Sequence, residues 1–213
     1  FTTDNNVSIA GAYKGLPYRA SVGYLNQQGV LKRDVMDRTS ASLSVTPKFF
    51  NNSLKVELNL KGSLQNSMFA NDDAIGSAIV FDPTQPVYQE NAYGNYFEYM
   101  QGDLPHPLAP RNPLAMINLK DDDAKVARSF GNVLIDYTMP FISGLRSNLN
   151  LGYDISRGQG GVFVPEFDAT YNPTPGLQTC FLHDYTNVVG EFYLTRIKTF
   201  PAIIGYILST SRS

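Results

Sequence analysis

The chain has 213 residues, of which 17% are charged and 12% aromatic, with no Trp and a net charge of −2. That length supports one or two domains with a sizeable core, and the lack of a basic block argues against nucleic acid as a partner. A single cysteine, Cys180, excludes an internal disulfide framework, and no apolar run reaches the roughly eighteen residues a membrane-spanning helix needs, which leaves strands as the only way across a bilayer.

Taken in order, the chain alternates. Val7, Ile9, Gly11 and Tyr13 oppose Ser8, Ala10 and Ala12, then KGLP (Lys14–Pro17) marks a turn. Tyr18, Ala20, Val22 and Tyr24 next oppose Arg19, Ser21 and Gly23, so these two runs predict a hairpin. A longer polar connection is expected over Asn26–Asp37. Ala41, Leu43 and Val45 resume the pattern, and Thr46–Ser53 is a second short turn. The clearest alternation follows: Leu54, Val56, Leu58 and Leu60 against Lys55, Glu57, Asn59 and Lys61.

From about Asn66 to Lys125 the pattern stops, and a long loop without regular structure is expected. Insertions of this length are usually functional or disordered. Its centre is FDPTQPVYQENAYGNYFEYM, Phe81–Met100. Pro83 and Pro86 each fix φ and remove a backbone donor, so Phe81–Tyr88 is no central strand. Phe81, Asp82, Pro83 and Pro86 are assigned to shaping the loop, Asp82 by capping a turn. Tyr88, Tyr93, Tyr96, Phe97 and Tyr99 are the candidates for contact with a ligand or a partner, because a large rigid ring offers contact area at low entropic cost. Pro105, Pro107, Pro110 and Pro113 rule out a regular helix there.

Strands return with Val133, Ile135, Tyr137 and Met139, a short turn over Met139–Gly144, and Leu145, Leu149, Leu151 and Tyr153 opposite Arg146, Asn148, Asn150 and Asp154. A second long loop is expected from about Ser156 to His183, rich in Gly and containing Pro173 and Pro175. Asp184–Thr199 reads as a seventh strand, and PAIIGYILSTSRS, which closes the chain, loses alternation. Connections therefore run short, long, short, long, short, long.

Chemistry is sparse. Asp121–Asp123 and Asn71–Asp73 read as solvated polar runs, since adjacent carboxylates rarely converge on one ion. His106 and His183 accompany no hydrolase or zinc motif, Cys180 falls in an expected polar loop, and no paired-carboxylate glycosidase signal is present. No metal, cofactor or catalytic residue is assigned. Lys55, Glu57, Asn59, Arg146, Asn148, Asn150 and Asp154 are expected on one polar face.

The fold class is all-β, an antiparallel up-and-down meander. Two architectures share this pattern: a soluble or surface-attached β-sandwich, for instance a carbohydrate-binding module, and a transmembrane β-barrel. Strands of about nine to eleven residues, one-sided loop lengths, and aromatics beside the short turns (Tyr13, Tyr18, Phe49, Phe50, Phe141, Phe200) favour the barrel. About seven or eight strands are expected, as part of a larger barrel.

YRASVGYLNQQGVLKRDVMDRTSASLSV (Tyr18–Val45), AIVFDPTQPVYQ (Ala78–Gln89), NPLAMINL (Asn112–Leu119) and LRSNLNLGYD (Leu145–Asp154) resemble the SusC/RagA family of TonB-dependent outer-membrane receptors. The resemblance implies a plugged 22-stranded barrel in the outer membrane of Bacteroidetes-type bacteria. It also implies uptake of oligosaccharides, or in some members peptides, beneath a SusD-like lipoprotein lid, with energy delivered through the TonB complex. On this resemblance the chain is an early-to-middle barrel segment, surrounded by outer-membrane lipid, with the plug and TonB box elsewhere and both long loops extracellular. The seven polar strand residues then face the lumen. The chain opens on Phe1 without Met or signal peptide, as expected of a processed chain or a piece of a longer one.

Overall fold

A computed structural model describes residues 1–142, 144–171 and 176–196, and the backbone of 206–211. One antiparallel sheet dominates. Its main path is β1 (Thr2–Tyr13), β2 (Leu16–Gln28), β3 (Val35–Val45), β5 (Leu54–Met68), β8 (Asp121–Thr138), β9 (Leu145–Val164), β10 (Leu177–Arg196) and β11 (Tyr206–Ser211), each strand bonded to the next. The two-residue β4 (Lys48–Phe49) pairs with the start of β5. Among the described residues no second sheet packs on either face, so the arrangement is a single meander and not a sandwich. Among the described residues no helix is long and apolar enough to cross a membrane.

The hairpins follow from local chemistry. Tyr13 pairs with Leu16, leaving only Lys14 and Gly15 in the turn, both at positive φ (48° and 81°). A two-residue loop of that handedness matches the natural twist of the strands it joins. Phe50, Asn51 and Asn52 also take positive φ in the β4–β5 turn.

Several expected boundaries shift. The first polar connection contracts to residues 29–34, because β2 and β3 pair through Gln28 and Val35. The long loop contracts to 69–120, and Asp121–Asp123 form the first residues of β8, paired with Phe163, Val162 and Gly161. The second loop contracts to 165–176. The glycines at 158, 160 and 161 belong to β9, and Cys180 and His183 belong to β10. Residues 206–211 are a strand on β10, although they carry no alternation. Phe200, Pro173 and Pro175 lie outside the described residues.

Strand length is the largest departure. β5, β8, β9 and β10 have 15, 18, 20 and 20 residues. Residues directly opposite on antiparallel strands share a face, and the register separates two. One carries Leu54, Val56, Leu58, Leu60 and Leu64 of β5, Val133 and Ile135 of β8, and Leu149, Leu151 and Ile155 of β9. Beyond this band the same face turns polar, with Asn66, Lys125, Asp123, Arg157 and Gln159. The apolar stretch of each strand is thus about eleven residues, the crossing length of a tilted strand, and the rest of the strand projects past it.

The long loop is not structureless. It holds α1 (Asp73–Val80), a small ribbon of β6 (Met100–Gln101) and β7 (Leu104–Pro105), and α2 (Pro113–Leu119). Pro113 begins α2 instead of preventing it. At the first helical position the missing N–H is not needed and the fixed φ is already helical.

Candidate functional site

Two places gather polar and aromatic side chains: the 69–120 loop and the polar face of the sheet. In the loop, residues 87–97 form a small hairpin, with Phe97 N donating to Val87 O and Gln89 N to Asn95 O, both at 3.1 Å. Asn91 closes its tip by accepting from Tyr93 N at 2.8 Å and donating to Tyr96 O at 2.6 Å. Gly94 and Asn95 make the reversal at positive φ.

Asn112 anchors this hairpin to α2. Its Oδ1 accepts from Leu114 N (3.0 Å) and Ala115 N (3.3 Å), capping the helix, while Nδ2 donates to Val87 O (2.9 Å) and Phe97 O (3.3 Å). Its own N–H donates to Glu98 Oε1 at 3.1 Å. One 2% exposed side chain thus fixes both chain segments. The sequence reading gave no role to Glu98, nor to Asn112 beyond its place at the head of NPLAMINL. The available signal was the Asn-Pro pair opening an apolar run, a cap followed by an N1 proline.

The five aromatic candidates separate. Tyr93 is 8% exposed and donates from its hydroxyl to Asp103 O at 3.1 Å, so it belongs to the loop core. Phe97 and Tyr99 pack edge-on at 5.2 Å, and Phe81 lies 6.2 Å and 5.7 Å from them. Tyr88 stacks on Tyr96 at 5.3 Å and is 65% exposed. The Tyr96 hydroxyl accepts from Asn118 Nδ2 at 3.0 Å. Asp82 accepts from Thr84 N (2.9 Å) and Thr84 Oγ1 (2.8 Å), and Gln85 Nε2 lies at 3.4 Å. These donors hold its carboxyl below the usual range, the Thr84 backbone N–H most strongly. Pro83, inside that turn, and Pro86, just past it, are both exposed.

On the sheet, Lys55, Glu57, Asn59, Arg146, Asn148, Asn150 and Asp154 all fall on the polar face by register. A ladder crosses four strands there: Ser44 Oγ donates to Asn59 Oδ1 (2.7 Å), Asn59 Nδ2 to Asn132 Oδ1 (3.2 Å), and Asn132 Nδ2 to Asn150 Oδ1 (3.3 Å). Arg128 grips Asp154 through Nε (3.0 Å) and Nη2 (2.6 Å), Arg146 pairs with Asp136, and Lys55 with Glu57. The Phe130 ring lies beneath Lys61 and Arg128, at 5.8 and 5.1 Å. Gly152 leaves an open depression of about 520 Å3, lined by Asn59, Lys61, Phe130, Asn132, Asp154 and Asn187.

The polar runs are not simply solvated. Arg33 pairs with Asp121 and Lys120 with Asp122 (3.2 Å), while Asn71 is buried and its Oδ1 accepts from Asp73 N at 3.3 Å. Among the described residues no three His, Cys, Asp or Glu side chains are placed to hold a metal ion.

No family model matches the chain. It is 36% identical over 181 residues, 78% of its length, to the TonB-dependent receptor SusC of Bacteroides thetaiotaomicron. It is 26% identical over 214 aligned positions, 94% of its length, to the TonB-dependent receptor P3 of Formosa agariphila. It covers 18% and 20% of those two proteins. Two solved structures, described as the RagAB peptide importer in an open-open state and the RagAB peptide transporter, share its fold at a TM-score of 0.59 and 21% identity. Each match covers 91% of this chain. The chain spans 21% and 22% of those two structures' chains.

Proposed function

Given that the chain belongs to the SusC/RagA family of TonB-dependent receptors, of which it spans about a fifth, we propose that it is the early-to-middle barrel segment of an outer-membrane importer of oligosaccharides. The reading rests on the two-faced sheet. An apolar band about eleven residues tall faces outward to lipid, and a polar face with its own hydrogen-bond ladder faces the lumen. The 69–120 and 165–176 connections, opposite the two-residue Lys14–Gly15 turn, then lie outside the cell.

On this reading the protein acts with a SusD-like lipoprotein and draws energy from the TonB complex through a plug that lies outside this segment. It binds and passes cargo without changing it. Tyr88, with Tyr96 stacked against it, is the loop aromatic most open to a lid or a sugar, and Phe97 and Tyr99 are partly open beside Phe81. Tyr93 is placed to hold the loop together instead.

Deleting the parent gene and following labelled oligosaccharides into whole cells tests the proposal. Uptake should fall to background, and collapsing the proton gradient in cells that keep the gene should do the same. Unchanged oligosaccharide uptake with lost peptide uptake would replace the cargo with peptide, a reading favoured by the description of the RagAB structures as peptide importers. Recovery of the full receptor as a soluble periplasmic protein would sink the membrane placement.

A further inference from the structure

Glu98 is 3% exposed, and the geometry around it is one-sided. Oε1 accepts from Asn112 N, while Oε2 is buried without a hydrogen-bond partner. Asp168, 2% exposed and contributed by the 165–171 segment that follows β9, places a second carboxyl where its charge opposes ionisation of Glu98. Arg111, next to Asn112, is the charged group that favours ionisation, and its Nη1 donates to His106 O at 3.0 Å. The two connections also meet at Gly94, where an added Cβ would lie 3.4 Å from the Phe167 ring and 3.3 Å from Leu119.

A buried carboxylate oxygen with no donor is costly, because burial removes its water and returns nothing. A proton on that oxygen removes the charge and turns an orphaned acceptor into a donor. We propose that Glu98 is a proton-operated latch: protonated, it holds the 69–120 loop closed against the 165–171 segment beside Asp168, and ionised, it releases them. The device does not depend on the cargo or on the barrel's direction of transport.

Burial, more than any other cause, pushes the Glu98 carboxyl up from 4.5 to about 7. The closed loop therefore binds a proton that the open loop gives up. Closure is fully supported below about 4.5, weakens as pH rises towards 7, and gains nothing further above that.

Hydrogen exchange on the full receptor in lipid nanodiscs, corrected for the intrinsic pH dependence of exchange, tests this. Between pH 5 and pH 8, protection of amides 93–119 should fall by roughly tenfold or more, while amides of the apolar band of β5 keep theirs. Glu98→Gln should make loop protection the same at both pH values. Asp168→Asn should shrink the fall only slightly, since the Asp168 charge adds to the effect of burial and burial remains. A flat wild-type profile would overturn the latch, as would a Glu98→Gln profile that falls like the wild type. Loosening at pH 5 by a chelator would also overturn it, by putting a metal ion where the proton is placed. If Glu98→Gln does not fold, the wild-type profile decides by itself: equal loop protection at pH 5 and pH 8 overturns the latch.

Discussion

The sheet and the loop it carries are held together in opposite ways. Gly23 apart, every buried residue described lies within 71–116 or 164–169. Across the sheet, large apolar side chains stand open: Val7 is 76% exposed, Ile9 60% and Leu64 63%. The loop is a small packed body around Ala74, Tyr93, Ala115 and Met116, with Asn112 as its polar centre. The sheet has ladders and no core, so its apolar face needs cover from outside itself. A barrel wall takes that cover from lipid, and a loop that stands clear of the bilayer has to supply its own.

Substitutions can break or sharpen this contrast. Tyr93→Ala should cost about 3–5 kcal/mol of loop stability, the usual price of deleting a buried aromatic. Protease nicking within 69–120 reads it, and the sheet's unfolding midpoint should stay in place. A shifted midpoint would show that loop and sheet unfold as one unit. Leu60→Arg, in the middle of the apolar face, should destabilise folding into bilayers by about 2–4 kcal/mol. Ser63→Arg on the polar face should have a much smaller effect, and equal effects would remove the distinction between faces. Asn112→Ala should loosen the loop by about 1–2 kcal/mol through the lost cap. Asn112→Asp keeps the cap acceptor and should recover part of that, with hydrogen exchange of α2 as the readout. The smallest effect belongs to Arg157→Ala. Its paired carboxyl Asp184 is exposed and solvent-screened, so no change in the sheet's unfolding midpoint is expected.

The sheet was legible because period two is written directly in the residues, as in Leu54–Lys61. Its ends were not. Gly158, Gly160 and Gly161 read as a loop because glycine is rare in strands. In the fold Gly160 packs where any Cβ would meet Asp123 O at 2.2 Å and the Phe181 ring at 2.6 Å, so the strand requires glycine there. β11 was invisible because its pairing is dictated by Val189–Leu194 of β10 and not by its own pattern. In the loop, α1 and α2 span 8 and 7 residues, too short for a helical period to emerge. The contacts that organise it, Asn112 to Val87 and Glu98 to Asn112, join residues 25 and 14 positions apart. The turn at Asp82 needs only its next three neighbours, and it could be read from the sequence.

The projecting ends of β8–β10 set a clearance. From Ile155 to Val164, β9 runs on for roughly 30 Å, or about 20 Å of height at a 45° tilt. On the proposed membrane placement, the loop body is mounted on a stiff collar, well above the lipid headgroups. On that reading a partner would meet it without having to approach the bilayer. Shortening β9 and β10 together, pair by pair, would lower that meeting point without altering a single contact inside the loop.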